Sequence, residues 1–197
     1  MADGSTQIEK SKPVLIAIGG LSGSGKSTLA QAFSKAAGVV LIDSGSVLKE
    51  MFGATPTAKL PPHAYSAKVR KRVQRYMDDR CRKHLRAGRS VVMSQTFIRA
   101  ESRARTEAIA NDLGVAFQGI WLDTDLATQF KRVSPPSEGI SDASTKVILK
   151  QARILAESGP VHWKRVDAGQ PADDVFREAA APLAERIPAK ARASLLL

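Results

Sequence analysis

The chain has 197 residues, which is enough for one domain with a full hydrophobic core and too few for two ordinary domains. Hydrophobic residues make up 43% and charged residues 25%, which excludes a disordered chain, and no apolar run approaches the roughly 20 residues of a membrane span. The net charge of +11 favours anionic partners, and the single Cys81 excludes an internal disulfide and is typical of a cytoplasmic protein.

Short apolar runs alternate along the chain with longer segments of helical periodicity. The first run, residues 14–18, is continuous and bounded by glycines, which is typical of a strand buried on both faces of a parallel sheet. The predicted strands are residues 14–18, 39–42, 90–93, 115–122 and 161–167, and the predicted helices are residues 26–37, 45–52, 64–87, 98–112, 124–133, 142–157 and 171–186. This alternation predicts an α/β fold with a doubly wound, parallel, five-stranded sheet.

The same pattern predicts a single domain with flexible ends. Residues 1–12 are polar and are expected to form a flexible lead, and residues 188–197 a frayed tail, on either side of a domain over residues 13–187. Within the domain, the run Ser-Pro-Pro-Ser-Glu-Gly at 134–139 is rich in helix breakers. It predicts a lid-like loop over residues 134–142.

A glycine-rich segment follows the first predicted strand and leads into the first predicted helix. Its residues fit the pattern G-x-x-x-x-G-K-[ST] and are Gly20, Leu21, Ser22, Gly23, Ser24, Gly25, Lys26 and Ser27, with Thr28 next. Glycines let successive backbone N–H groups turn towards a phosphate, and the helix N-terminus adds its positive end. In such a loop Lys26 reaches the β- and γ-phosphates and the Ser27 hydroxyl binds Mg²⁺. The sequence therefore predicts a nucleoside triphosphate site.

Further short motifs extend this pattern along most of the chain. They include Phe52-Gly53, Leu60-Pro61-Pro62, Gly88-Arg89-Ser90, Thr96-Phe97 and Trp121-Leu122-Asp123. With these motifs, residues 13–168 resemble the small phosphate-loop kinases related to polynucleotide kinase, gluconate kinase and zeta toxins, and in particular the kinase-like domain that bacteria often fuse to an aminoglycoside-phosphotransferase-like domain. The resemblance implies a P-loop NTPase fold of three α/β/α layers, ATP and Mg²⁺ as ligands, and a small hydroxylated acceptor.

The chain departs from that family at three positions that commonly carry catalytic groups. Where relatives have Ser-Asp after the second strand, this chain has Ser44 and Gly45, which leaves Asp43 as the nearest candidate base. Where relatives have aspartate at the end of the third strand, it has Ser94, and its lid-like loop has no basic residue within 134–139. Such losses lower rate more than nucleotide affinity. The sequence thus predicts ATP binding, and it leaves a phosphotransferase and a non-catalytic nucleotide-binding module as alternatives.

Two further residues are singled out by their positions around this loop. Asp123 ends a run that looks like a Walker B strand, but the family's topology places the third strand beside the first on the metal side. We therefore expect Asp123, at the end of the fourth strand, to lie away from the metal. Arg132 directly precedes the lid-like loop, and it is either a residue that stacks on adenine or a surface arginine.

The predicted helix over residues 64–87 has opposed apolar and basic faces. The apolar row is Val69, Val73, Met77, Cys81 and Leu85, and the basic arc is Lys71, Arg72, Arg75, Arg82, Lys83 and Arg86. Such an arc is either a solvated face or a surface for nucleic-acid phosphates, which leaves a nucleic-acid 5′-hydroxyl kinase as another alternative. Arg70 and Arg80 fall in the apolar half and either extend outward or point into the cleft. With Ser44 and Arg72 they are the candidate substrate contacts.

Overall fold

The computed structural model describes residues 12–133 and 142–183. The strands of this part are β1 (Val14–Gly19), β2 (Val40–Asp43), β3 (Val91–Ser94), β4 (Ala116–Asp123) and β5 (Lys164–Asp167). The α-helices are α1 (Lys26–Ala37), α2 (Ser44–Met51), α3 (Ala67–Arg86), α4 (Ala100–Leu113), α5 (Leu126–Val133), α6 (Asp142–Glu157) and α7 (Ala172–Ala180). Each predicted strand and helix has a counterpart. Apart from Lys12 and Asp142, the predicted lead, lid-like loop and tail lie outside the described residues.

Three predicted boundaries were wrong by three or more residues. A 3₁₀ turn over Pro62–Tyr65 precedes α3, and the Ser66 hydroxyl caps the helix by accepting a hydrogen bond from the N–H of Val69. β5 begins at Lys164 because only its last four predicted residues pair with β4. α7 ends at Ala180 and continues into a second 3₁₀ turn.

The five strands form one parallel sheet in the order β2-β3-β1-β4-β5, which confirms the predicted α/β fold. β1 lies at the centre, with β3 on one side and β4 on the other. Asp123 therefore lies across β1 from Ser94, as expected. There its carboxylate accepts two hydrogen bonds from Arg165, at 2.6 and 2.7 Å, so both of its oxygens are bonded to a residue of β5.

Alternate residues of β1 supply two hydrophobic cores, one on each face of the sheet. Val14, Ile16 and Ile18 join a core that packs against α1 and α7. Leu15 and Ala17 join a second core that packs against α2, α3 and α4. Because β1 is buried on both faces, its carboxyl end is held rigidly where the glycine-rich segment begins.

The apolar row predicted for α3 faces the second core. Val73, Met77, Cys81 and Leu85 are buried, and Val69 packs against them. The basic arc is consequently turned outward. No helix in the described part of the chain is both long and apolar enough to cross a bilayer.

Cys81 is expected to be chemically inert in the folded protein. Its side chain is fully buried, and burial raises the pKa of the thiol to about 12. Since the thiolate is the reactive form, iodoacetamide at about pH 8 should leave Cys81 unmodified in the native protein and alkylate it after denaturation, as measured by intact mass. Equal labelling rates in the two states would contradict this packing.

Candidate functional site

The glycine-rich segment forms the turn between β1 and α1 at the carboxyl edge of the sheet. Gly20 and Gly23 have φ angles of 145° and 81°, in the region that favours glycine. A Cβ atom at Gly20 would lie 2.9 Å from the carbonyl oxygen of Leu122, and one at Gly23 would lie 2.6 Å from that of Gln129. The loop is thus pressed against backbone from β4 and α5, and only glycine fits at these two positions.

The backbone N–H groups of this loop fall into two sets. In one set each N–H group donates to an acceptor in the protein. Gly20 donates to the Thr96 carbonyl at 3.2 Å, Ser22 to the Gln151 side chain at 2.9 Å, and Ser24 to the Leu21 carbonyl at 3.2 Å. The other set meets no acceptor in residues 12–133 and 142–183, and it comprises Leu21, Gly23, Gly25, Lys26, Ser27 and Thr28. Donors left open at a loop and helix N-terminus form a concave anion site.

Lys26 adds a cation to this set of donors. Its Nζ donates a hydrogen bond of 2.7 Å to the Leu21 carbonyl, so the side chain folds back over the loop. Burial lowers the pKa of the Lys26 ammonium group to about 8, and the negative charge of Asp43 partly opposes that shift. An anion bound in the loop would replace lost hydration and favour the charged lysine.

Asp43 connects the end of β2 to the loop. Its Oδ2 accepts a hydrogen bond of 3.0 Å from the Ser27 hydroxyl, and its Oδ1 accepts bonds of 2.9 and 3.1 Å from the N–H and hydroxyl of Ser46. Asp43 therefore caps α2, whose first residue is Ser44. β3 lies between β2 and β1 and ends in the small Ser94, and this lets the carboxylate reach Ser27.

The donor atoms at Ser27 and Asp43 suit Mg²⁺. This ion binds one or two protein oxygens and fills its remaining positions with water and substrate phosphates. In the described residues no group of three or more His, Cys, Asp and Glu side chains could hold a metal by itself. A magnesium ion here would depend on oxygens of a bound phosphate, as the predicted site requires.

A pocket of about 350 Å³ opens beside the loop, between α1, α5 and α7. Thr28 and Ala32 line one side, and Arg132 and Phe176 line another. The Arg132 guanidinium donates a hydrogen bond of 3.1 Å to the Ala168 carbonyl, which holds it at the wall of the pocket. Arg132 is exposed, and one of its guanidinium nitrogens lies 4.0 Å from the position of a Cβ atom at Gly25, beside the phosphate loop.

The candidate substrate arginines of α3 are not brought together. The Arg70 guanidinium donates to the Tyr65 carbonyl, and Arg80 forms an ion pair of 3.2 Å with Glu50 at the end of α2. Arg72 instead lines a groove of about 360 Å³ between α2 and α3. Within the described residues none of the three hydrogen-bonds to the phosphate loop.

Sequence reasoning missed the side chain of Gln151, which bonds to Ser22 from α6. No local pattern distinguishes this glutamine, because its partner lies 129 positions earlier in the chain. It also missed Gln129, whose backbone closes one side of the loop at Gly23. Both contacts depend on how the helices pack around the carboxyl edge of the sheet.

Lys26 should make folding stability rise with pH between about 8 and 10.5. In that interval the folded protein holds Lys26 largely neutral, while the unfolded chain, with the ordinary pKa of 10.5, keeps the proton. Unfolding then takes up a proton, which favours the folded state by up to about 1.4 kcal/mol per pH unit. Denaturant unfolding of the wild type and of Lys26→Met across this interval should show a steeper rise for the wild type. If the free energy of unfolding rose equally with pH in both proteins, the lowered pKa of Lys26 would be refuted.

The chain is similar in sequence and fold to characterised groups of proteins. Residues 15–157 match the family model AAA_33, an AAA domain. A gluconokinase from Sinorhizobium meliloti 1021 is 22% identical, with a TM-score of 0.64 over 88% of this chain and 93% of that chain. A sugar kinase from Janibacter sp. HTCC2649 is 17% identical, with a TM-score of 0.62 over 91% of this chain and 98% of that chain.

A third solved structure, the APS kinase CysC of Mycobacterium tuberculosis, is 21% identical, with a TM-score of 0.61 over 87% of this chain and 98% of that chain. At these identities the likeness establishes a shared P-loop kinase fold. No curated protein is a significant match. Since the family model spans most of the chain, the protein belongs to the AAA_33 family of AAA domains.

Proposed function

We propose that the chain binds Mg·ATP in the loop between β1 and α1 and transfers the γ-phosphate to a hydroxyl group of a small molecule. The observation that carries this proposal is the set of open N–H groups from Gly23 and from Gly25 to Thr28, with Lys26 folded over the same loop. A polyphosphate supplies acceptors for all of these donors at once. The APS kinase neighbour, solved with AMPPNP and APS, supports this class of ligand.

The pocket beside the loop suits the nucleoside. It is adjacent to Gly25 and Thr28, so a phosphate chain held in the loop would lead directly into it. Its wall combines the apolar Ala32 and the Phe176 ring with the planar guanidinium of Arg132. These surfaces fit a flat heteroaromatic base, and Arg132 is proposed to stack on adenine.

Each residue at the phosphate end has a proposed role. Lys26 stabilises the charge of the transferring phosphate, and Ser27 supplies an oxygen ligand for Mg²⁺. Asp43 accepts hydrogen bonds from Ser27 and Ser46, and this favours a role in holding the Ser27 hydroxyl over the predicted role of a free general base. When bound, Mg²⁺ would neutralise phosphate charge, which is the chief requirement of a loose phosphoryl-transfer transition state.

The acceptor is proposed to lie in the crevice at the carboxyl ends of β2 and β3. Of the candidate contacts, Ser44 follows Asp43 directly, and Arg72 lines the open groove between α2 and α3. Arg70 and Arg80 are the weaker candidates, because both guanidinium groups already bond within the α2–α3 layer.

A non-catalytic nucleotide-binding module is the second candidate, and the surroundings of Asp43 favour it. In the described part of the chain no other carboxylate hydrogen-bonds to the phosphate loop, and Asp43 already accepts three hydrogen bonds. Gly45 and Ser94 offer no acidic side chain where related kinases have one. Binding needs only the backbone donors, Lys26 and Ser27, whereas proton removal needs an available base.

A transfer assay with γ-labelled Mg·ATP separates these candidates. The wild type should label one component of a desalted metabolite pool, and Lys26→Ala should lower that rate by roughly 100-fold because it removes a cation from the transferring phosphate. Label moving to 5′-hydroxyl oligonucleotides instead would indicate a nucleic-acid kinase. ATP binding by the wild type with no transfer to either pool would favour the non-catalytic module.

Asp43→Asn should weaken magnesium binding more than it weakens the fold. The amide still accepts the hydrogen bond that caps α2, but it lacks the charge beside Ser27. The Mg²⁺ concentration for half-maximal ATP binding should rise by about tenfold in a calorimetric titration. Asp125→Asn is the matched control, since the Asp125 carboxylate likewise accepts a bond from a backbone N–H, that of Thr128 at 2.8 Å. An unchanged magnesium requirement in Asp43→Asn would remove this role.

A further inference from the structure

Gln151 joins helix α6 to the phosphate loop through two hydrogen bonds. Its carboxamide oxygen accepts from the Ser22 N–H at 2.9 Å, and its carboxamide nitrogen donates to the Ser22 hydroxyl at 2.9 Å. Both bonds are partly buried, so water competes with them less than at an open surface. One side chain therefore restrains both the backbone and the side chain of Ser22.

Ser22 lies at the centre of a stretch in which hydrogen-bonded and open backbone N–H groups alternate. Gly20, Ser22 and Ser24 direct their N–H groups to acceptors in the protein, whereas those of Leu21, Gly23 and Gly25 meet none in the described residues. Two of the three bonds use backbone acceptors, which no side-chain substitution removes. The bond at Ser22 is the one in this pattern that depends on a side chain. Without it the first half of the loop would lose a point of attachment.

The helix that carries Gln151 is itself anchored near the loop. Arg103 of α4 is only 6% exposed, and its guanidinium donates to the carbonyls of Phe97 at 2.9 Å and Pro160 at 3.1 Å. Pro160 lies just beyond the end of α6. Phe97 follows Thr96, whose carbonyl accepts the hydrogen bond from the Gly20 N–H. The phosphate loop and the segment that follows α6 are thus tied to the same turn.

We propose that Gln151 is a positioning residue of the nucleotide site. By fixing Ser22, it holds the loop in the conformation in which the N–H groups of Gly23 and of Gly25 to Thr28 converge. When Gln151 is removed, a bound nucleotide must itself order this part of the loop, and the affinity falls. The proposal rests on the nucleotide-binding function proposed above, and it assigns to α6 a role in affinity with no contact between Gln151 and the ligand.

The primary test compares Gln151→Met, which keeps side-chain length and loses both bonds, with Leu149→Met. Leu149 is half-exposed on the same helix and makes no side-chain hydrogen bond, so it is the matched control. Calorimetric titration with AMPPNP and Mg²⁺ should show affinity about tenfold weaker for Gln151→Met and unchanged for the control. Amide hydrogen exchange at Ser22, measured without nucleotide, should speed up in Gln151→Met alone. Circular dichroism verifies that each variant is folded.

Two further variants separate positioning from direct contact with the nucleotide. Ser22→Ala removes only the hydroxyl half of the pair, so it should weaken AMPPNP binding less than Gln151→Met does. The double variant should bind no more weakly than Gln151→Met. Gln151→Glu retains an acceptor for the Ser22 N–H and should restore slow exchange of that amide.

The outcomes distinguish this inference from the proposed function. If the wild type does not bind AMPPNP, the proposed function fails and this inference fails with it. If the wild type binds and Gln151→Met binds equally well, only the inference is overturned. Weakening by Gln151→Met that adds fully to that of Ser22→Ala, with no change in Ser22 exchange, would indicate direct contact with the nucleotide and would also overturn the positioning role.

Discussion

Several backbone N–H groups of the phosphate loop must point to the same place for the loop to bind an anion. Their dipoles oppose one another there, so the surrounding protein has to impose the turn. The start of the turn is held in place by β1, because both faces of this strand are buried. The end of the turn is held in place by α1, because Leu29 and Phe33 of this helix pack into the core that also contacts α7. Between these fixed ends, Gly20 and Gly23 allow the close approach of neighbouring backbone.

The charges of the site favour binding over proton transfer. Lys26 is positioned over the loop, while Asp43 is occupied by Ser27 and Ser46. A phosphoryl transfer can proceed on positioning and charge stabilisation with little help from a base. The arrangement therefore accommodates either a kinase or a nucleotide-dependent module. The difference lies in whether an acceptor hydroxyl reaches the crevice next to β2.

Much of the fold could be predicted because its signals are local. Continuous apolar runs mark strands buried on both faces, and the apolar row of α3 is visible at helical spacing. The errors occurred where a longer-range contact decided a boundary. α3 begins three residues later than predicted, because Ser66 caps it, and β5 begins only at Lys164, which pairs with Ile120 of β4.

The chemistry of the phosphate loop follows from its local sequence, because glycine, lysine and serine at that spacing create the donors within one turn of chain. Tertiary structure alone decided which groups restrain it. The Ser27–Asp43 bond depends on β3 lying between β1 and β2, and the Ser22–Gln151 pair joins positions 129 apart. Arg80 likewise finds Glu50 because α2 packs against α3. Such pairings follow from strand order and helix packing, for which neighbouring residues carry no signal.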